Sequence, residues 1–498
     1  MATERFIILP KRGVMGSLGA QSDVLGRFPR VRSTQRPVSF QLDMFGGATA
    51  TVVDTVADNG PKLVDLEPDA VARINASGSP VRAFKEVFYP LPQPMDVSAG
   101  FINFAGGGVS QFGFEVTVAD AATGRAIVGC QVAAYWDFLN RLGVEGVTDA
   151  SGRVRLSSPA PMIERITATP TPGSGYWSGY RVNVPASGVI QIVAPPLTLP
   201  YVDSVRYYFG STNFQSEMGV TVGVIDTGCG PHADLNIIGG SNTVTGEPAT
   251  AITDSAYHGT HVAGLIGANG ATFQGVRGLA PRVKLNAYRV YGAGSAQASN
   301  YALLKAMIIA AKDGCDIINL SLGGGPHDEI VSEAILDARN QGMLIVVAAG
   351  NAYRSSVNYP AAYAGATPVS AMGRKGTFPP GSSEELQIVS PPYSKTDPSE
   401  FIAHFSNVGP QIALTAPGVG AISTLPNNKV GPLSGTSMAA PVVAGAAACL
   451  LSQSPEVWRM PRDRARSDAI ERLLQTNCAR RGFGLNFEGY GMPQSPTV

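Results

Sequence analysis

Gly435-Thr436-Ser437-Met438-Ala439-Ala440-Pro441 carries a hydroxyl on a short polar turn into the apolar run 442–451. Gly435 permits a tight approach, and Pro441 fits a helix only near its first turn. A serine placed there meets unpaired N–H groups and the positive end of a helix dipole, which favour a developing negative charge. Alone, the heptapeptide reads either as a Ser/Thr cap of a buried helix or as a nucleophile turn. A second segment, Val222-Gly223-Val224-Ile225-Asp226-Thr227-Gly228, is an apolar run ending in a carboxylate and a glycine turn. It reads as a buried parallel strand with Asp226 at its C-terminal edge, where open α/β sheets place ligands. A turn or cap role for Asp226 is the alternative. The third, His258-Gly259-Thr260-His261-Val262-Ala263-Gly264, opens a small-residue helix with an imidazole, in a chain of only five histidines. A metal held by His258 and His261 needs further ligands, and neither Glu nor Cys accompanies them. His261 therefore reads as a packed helix residue.

A serine hydroxyl is a poor nucleophile near neutral pH and needs an adjacent base. An imidazole takes its proton and returns it to a leaving amine, while a carboxylate fixes the tautomer and stabilises the imidazolium. The chain offers these groups in the order Asp, His, Ser. With Ser321-Leu322-Gly323-Gly324, Ala348-Ala349-Gly350-Asn351, Phe405-Ser406-Asn407-Val408-Gly409 and Ala416-Pro417-Gly418, the three segments resemble the subtilases, the subtilisin-like serine proteases, over about 205–495. The resemblance implies a serine endopeptidase that cuts peptide bonds through an acyl-enzyme, with Asp226, His258 and Ser437 as catalytic residues. It implies Asn351 as oxyanion donor beside the backbone N–H of Ser437. By itself Asn351, after the strand 343–348 and two small residues, reads equally as a turn residue. Gly292-Ala293-Gly294-Ser295 and Ser321-Leu322-Gly323-Gly324 match the family's two substrate-flanking segments, which makes Gly294, Ser321, Leu322 and Gly323 substrate-binding. Glycines there let an extended peptide approach as an added strand. Asn358, before Tyr359-Pro360, is expected to line the first specificity pocket and to make it narrower or more polar than in the best-known members.

The elements that must position these groups follow from the pattern. Apolar runs at 222–225, 283–290, 317–320, 344–348, 368–371 and 412–415 alternate with helical patterns near 258–268, 299–313, 328–341 and 436–452. Such alternation predicts an α/β fold: a mostly parallel sheet with helices on both faces, as in subtilisin. The Pro-, Ser- and Gly-rich stretch 373–400 interrupts the match and reads as a surface insertion rimming the cleft. At 498 residues the chain exceeds one ordinary domain. Residues 1–95 read as a small α+β domain, with strands at Arg5–Pro10, 62–66 and 81–89 and a short helix opened by Pro68. This layout resembles the subtilisin-type prodomain, which implies an intramolecular inhibitor. A linker at 96–110 precedes short alternating strands in 111–198, among them one at 126–132, which predict a β-sandwich. Its Thr148-Asp149-Ala150-Ser151-Gly152 hairpin resembles transthyretin-like or carboxypeptidase-regulatory modules, implying either a partner-binding module or a brace. The catalytic domain spans 199–498.

Composition narrows the partners. Lys and Arg total 37, as do Asp and Glu, so no electrostatic case exists for nucleic acid or an anionic membrane. Protein or peptide substrate is the expected partner. The N-terminus shows no apolar h-region and no run approaches eighteen apolar residues, so neither signal peptide nor membrane span is expected. Five cysteines without paired spacing fit a reducing compartment, giving a cytoplasmic expectation. Cys229, three positions after Asp226, is either an inert buried thiol or one close enough to the triad to confer sensitivity to thiol reagents. Subtilases often bind calcium, yet Ala271-Thr272-Phe273-Gln274-Gly275 lacks the carboxylates and amides for it, and no cofactor is expected. A scaffold that holds peptides without cutting them is the competing class. It is disfavoured because Asp226, His258, Asn351 and Ser437 are all present.

Overall fold

The computed structural model describes residues 3–14, 24–42, 47–76, 79–91, 111–199, 201–210, 219–272, 276–389 and 391–494. The expected linker at 96–110 lies outside these residues.

Arg5-Phe6-Ile7-Ile8-Leu9 is apolar without alternation because the strand it forms is buried on both faces. This strand, β1 (Glu4–Pro10), belongs to an antiparallel sheet with β2 (Val38–Leu42), β3 (Ala48–Thr55), β4 (Lys62–Leu66) and, after α1 (Pro68–Ile74), β5 (Val81–Lys85). The order is β2-β3-β4-β1-β5. Phe6 and Ile8 pack with Val64, Ala70 and Ile74 in the sheet's own core. Ile7 and Leu9, on the other face, join the core beneath two helices from the C-terminal part of the chain. A sixth strand, β6 (Phe88–Pro90), leaves this sheet.

Two more sheets follow. One has the order β10-β7-β13, the other β12-β11-β8-β9. Their strands are β7 (Phe112–Asp120), β8 (Gln131–Asp137), β9 (Leu142–Val147), β10 (Arg153–Ser158), β11 (Met162–Thr169), β12 (Gly179–Pro185) and β13 (Gly188–Ala194). Val116, Val118 and Ile192 from one sheet interdigitate with Val132, Ile163 and Ile166 from the other. The expected strand at 126–132 begins only at Gln131. Gly129, at φ 72°, turns the chain first.

After α2 (Ser204–Phe209) comes an eight-stranded sheet of order β15-β16-β14-β18-β19-β20-β21, with β22 paired to β20. Chain order introduces β14 (Thr221–Asp226), β15 (Ile237–Asn242), α3 (His258–Gly267), β16 (Lys284–Arg289), a short β17 (Gln297–Ser299), α4 (Asn300–Lys312), β18 (Ile317–Leu320) and α5 (Glu329–Asn340). Then come β19 (Leu344–Ala348), β20 (Thr367–Arg374), β21 (Glu400–Ile402), β22 (Leu414–Pro417), the hairpin β23 (Ala421–Leu425) and β24 (Lys429–Leu433), and α6 (Thr436–Ser452). Every pairing in the large sheet is parallel except β20 with β21. Helices α3 and α6 cover one face and α4 and α5 the other, as the alternation predicts. The chain winds to one side of β14 and then to the other, which makes the C-terminal end of β14 a topological switch point.

The 373–400 insertion does not stand out as a rim. Phe378, Ser383, Glu384 and Gln387 are buried. Ser383 N–H donates to Ser178 O at 2.8 Å, and Tyr180 Oη donates to Glu385 Oε2 at 2.8 Å. Its burial comes from docking on the β11–β12 side of the preceding sheets, a long-range contact that local composition does not encode.

Candidate active site

Asp226 ends β14, and His258 is the first residue of α3. The two elements approach closely because Gly259 has no side chain: a Cβ there would lie 2.0 Å from Gly228 O and 3.1 Å from Asp226 Cβ. This contact brings His258 Nδ1 within 2.8 Å of Asp226 Oδ1, with both side chains essentially buried. Donation from Nδ1 leaves Nε2 as the acceptor, the tautomer a general base requires. Among the described residues Nε2 has no hydrogen-bond partner.

Sequence reasoning missed the residue that ties these segments together. Asp254 accepts from Thr227 Oγ1 (2.8 Å), Ala256 N (2.9 Å) and Thr260 N (2.7 Å). Thr227 Oγ1 in turn accepts from Gly259 N at 2.9 Å. One carboxylate therefore grips both the turn after Asp226 and the first turn of α3. The signal was present, since Asp254 lies just ahead of a helix start, where acceptors for free N–H groups are favoured. Burial raises its pKa.

Ser437 is the second residue of α6, and its Oγ donates to Ser321 O at 3.1 Å. Pro441 lies in the second turn of α6 rather than the first, contrary to the sequence expectation. Its missing N–H would have bonded Ser437 O. Ser321 Oγ takes that carbonyl instead at 2.9 Å, and itself accepts from Asn319 Nδ2 at 2.9 Å. Helix α6 is thereby fastened to the loop after β18, and Gly323 of that loop lies beside Asn358. A Cβ on Gly323 would be 3.1 Å from Tyr359 O and 3.9 Å from Asn358 Cβ.

Asn351 follows β19 and two small residues. Its Oδ1 accepts from Thr436 N (2.9 Å) and from Thr436 Oγ1 (2.8 Å), while Nδ2 lies beside Gly435, where an added Cβ would stand 3.3 Å from it. Asn407 braces the same loop by accepting from Ala352 N at 2.7 Å and donating to Ser356 O at 2.9 Å. The elements that carry carboxylate, imidazole, amide and hydroxyl, β14, α3, β19 and α6, pack on one another. Such a set can deprotonate a hydroxyl and hold an oxyanion.

Gly294, at φ 71°, sits in a loop with open space over its Cα. Strand pairing in this region runs through β17, just C-terminal to it. Gln297, Ala298 and Ser299 pair antiparallel with Pro90, Tyr89 and Phe88 of β6, and Leu91 N donates to Ala296 O at 2.7 Å. Tyr291 Oη donates to Pro90 O at 2.9 Å. β6 therefore pairs just C-terminal to the segment 292–295 expected to flank substrate.

His261 is packed rather than ligating. Its Nε2 lies 3.0 Å from Ala421 O and 3.1 Å from Gly431 O, and burial pushes its pKa down to about 3. Cys229 lies against the start of α3, 3.6 Å from Gly259 O, and burial raises its pKa well above the ordinary thiol value. It is close to the pair but held as a buried thiol. Among the described residues no cluster of three or more His, Cys, Asp or Glu could hold a metal ion. Ala271 and Thr272 supply no carboxylate, and 273–275 lie outside the described residues.

This site, at the switch point of a doubly covered parallel sheet, defines a hydrolase of the Asp-His-Ser type. A family profile described as Peptidase_S8, Subtilase family, matches residues 217–492. Subtilisin Savinase of Lederbergia lenta is 40% identical over 237 residues, covering 48% of this chain and 78% of that protein. An alkaline protease of Alkalihalobacillus alcalophilus is 40% identical over 237 residues, 48% of this chain and 55% of its own length. Subtilisin DY of Bacillus licheniformis is 38% identical over 241 residues, 47% of this chain and 78% of its own. The chain belongs to the subtilase family of serine endopeptidases.

Proposed function

We propose that this protein hydrolyses peptide bonds in protein or peptide substrates with Asp226, His258 and Ser437 as its triad, and that residues 1–95 act as an intramolecular inhibitor. Attack requires the Ser437 hydroxyl to leave Ser321 O for His258 Nε2, which takes its proton. Asp226 stabilises the resulting imidazolium, and Asn351 Nδ2 with the Ser437 N–H receives the oxyanion. The His258–Asp226 bond of 2.8 Å, buried from water, is the observation that carries the catalytic reading.

The inhibitory reading rests on β6. An extended segment that fills the substrate edge by main-chain pairing competes directly with substrate. Tyr89 is fully buried there. A Cβ added to Gly325 would stand 2.5 Å from its ring. The C-terminal segment of 1–95 then acts as a product mimic. The two sheets of 111–198 serve as a brace on the catalytic fold, a role supported by their contacts with 373–400. The five cysteines are all unpaired, which supports a reducing, cytoplasmic setting.

Labelling with a fluorophosphonate is expected in the native chain and lost in Ser437→Ala. Absence of Ser437-dependent labelling, after any removal of the N-terminal segment, overturns the enzyme reading. A chain that stays full length in a time course while fully active on peptides overturns the inhibitory one.

A further inference from the structure

Two consecutive non-glycine residues just after Asn351 adopt left-handed backbone conformations, Tyr353 at φ 53° and Arg354 at φ 66°. Such residues persist only where their surroundings over-determine them. Hydrogen bonds supply part of the restraint: Ala352 N to the Asn407 side-chain Oδ1, Tyr353 N to Phe405 O at 2.9 Å and Arg354 N to Ser406 O at 3.2 Å. The remainder comes from outside the parallel-sheet fold. The turn between β8 and β9 sets Phe138 edge-on against Tyr353, with centroids 5.4 Å apart and planes at 84°. Arg141 of the same turn lies over both rings, 3.9 Å from Phe138 and 3.8 Å from Tyr353. Arg165 on β11 lies 3.6 Å over Phe138. Phe138 N–H donates to Glu164 Oε2 at 2.8 Å, and Tyr135 meets the Phe138 ring edge-on at 5.2 Å. His404 closes the cluster on Tyr353 at 5.0 Å.

We infer that the 138–141 turn positions the loop carrying Asn351, with Phe138 and Arg141 as positioning residues for catalysis. The inference rests on the reading of Asn351 as oxyanion donor. Tyr353 is two residues from Asn351, and its ring is the handle by which the sandwich holds the loop. Preorganisation of an oxyanion donor matters at the transition state and little in ground-state binding. Loosening the handle therefore lowers kcat rather than raising KM. The 111–198 module is in this sense part of the catalytic apparatus, a role distinct from spacing the N-terminal sheet from the rest.

The test is turnover of a chromogenic peptide by the whole protein, with rates divided by sites titrated with a fluorophosphonate. Phe138→Ala and Arg141→Ala are each expected to lower kcat about ten-fold, within the ~10²-fold that a 1 Å misplacement can cost, with KM little changed. In an Asn351→Ala background the same changes should have almost no effect, because the donor they position is gone. Where Phe138→Ala fails to fold, Phe138→Leu and Arg141→Lys, which lose the ring edge and the planar stack, serve in its place. Leu139→Ala, in the same turn but 89% exposed, should match the native rate. A normal kcat in the positioning variants overturns the inference, as does a loss of equal size in both backgrounds. A normal kcat for Asn351→Ala overturns the oxyanion reading itself and this inference with it.

Discussion

Asn351 Oδ1 is saturated by two donors from Thr436, so only its Nδ2 is free to meet developing charge. Replacement by Ala removes that donor and leaves the Asp226–His258 pair untouched. Turnover is expected to fall by about 10²–10³-fold with KM nearly unchanged, measured by steady-state peptide hydrolysis. Pro441 acts on the nucleophile itself. Its lack of an N–H releases Ser437 O to Ser321 Oγ at 2.9 Å. Pro441→Ala supplies a competing N–H, so the folded state should gain stability while kcat falls, a trade between stability and activity seen when a strained site relaxes. Denaturant titration alongside turnover checks both halves. These residues were legible in the sequence because each sits in a short segment whose backbone need is local: a strand end, a helix start, a glycine turn. Asp254 carried a local signal, ahead of the helix that supplies Ala256 and Thr260 as donors, but its bond from Thr227 Oγ1 in a distant segment was not legible.

At the scale of elements, the distance between β14 and α3 decides whether an acid and a base become a pair. Gly259 sets that distance, since any Cβ would overlap Gly228 O. Gly259→Ala is expected to cost about 1–3 kcal/mol through overpacking and to lower activity beyond that loss. Thermal or denaturant unfolding together with kcat at full folding separates the two effects. The six strands and four helices expected from periodicity all form, with ends displaced by a few residues. The edge strand β15 went unread because Gly239 and Gly240 dilute it, and the hairpin β23–β24 because paired Asn427 and Asn428 at positive φ mark it only as a turn.

Across the whole molecule, the N-terminal sheet meets α4 through charge as well as apolar surface. Asp54, fully buried, pairs with Lys305 Nζ at 2.6 Å. Asp54→Ala leaves a buried cation unpaired, a change that typically costs about 3–5 kcal/mol. Freshly purified full-length Asp54→Ala is expected to hydrolyse peptide faster than the native chain, with a shorter lag. Two imidazoles, the buried His261 and the half-buried His404, set an acid limit. The pKa of His404 is pushed down to about 4 by burial and by Arg165, Arg354 and Arg141. That of His261 is pushed down to about 3, chiefly by burial. Unfolding lets both take up protons at their ordinary values. Stability should be complete above about pH 6.5 and fall progressively as pH drops towards 4 and 3. Melting temperature against pH reads this, and His404→Phe should flatten the upper part of the fall.

The sequence by itself determined the chemistry: which hydroxyl, imidazole, carboxylate and amide are present, in what order, and on which kind of element each must lie. Those are properties of a few consecutive residues, because turn, cap and strand-end geometry is decided over short range. Tertiary structure decided what surrounds that chemistry. It paired β6 with β17, buried the 373–400 insertion against a neighbouring sheet, and set Phe138 and Arg141 on Tyr353. No local pattern announces such contacts, since packing between distant segments depends on shapes that exist only once each has folded.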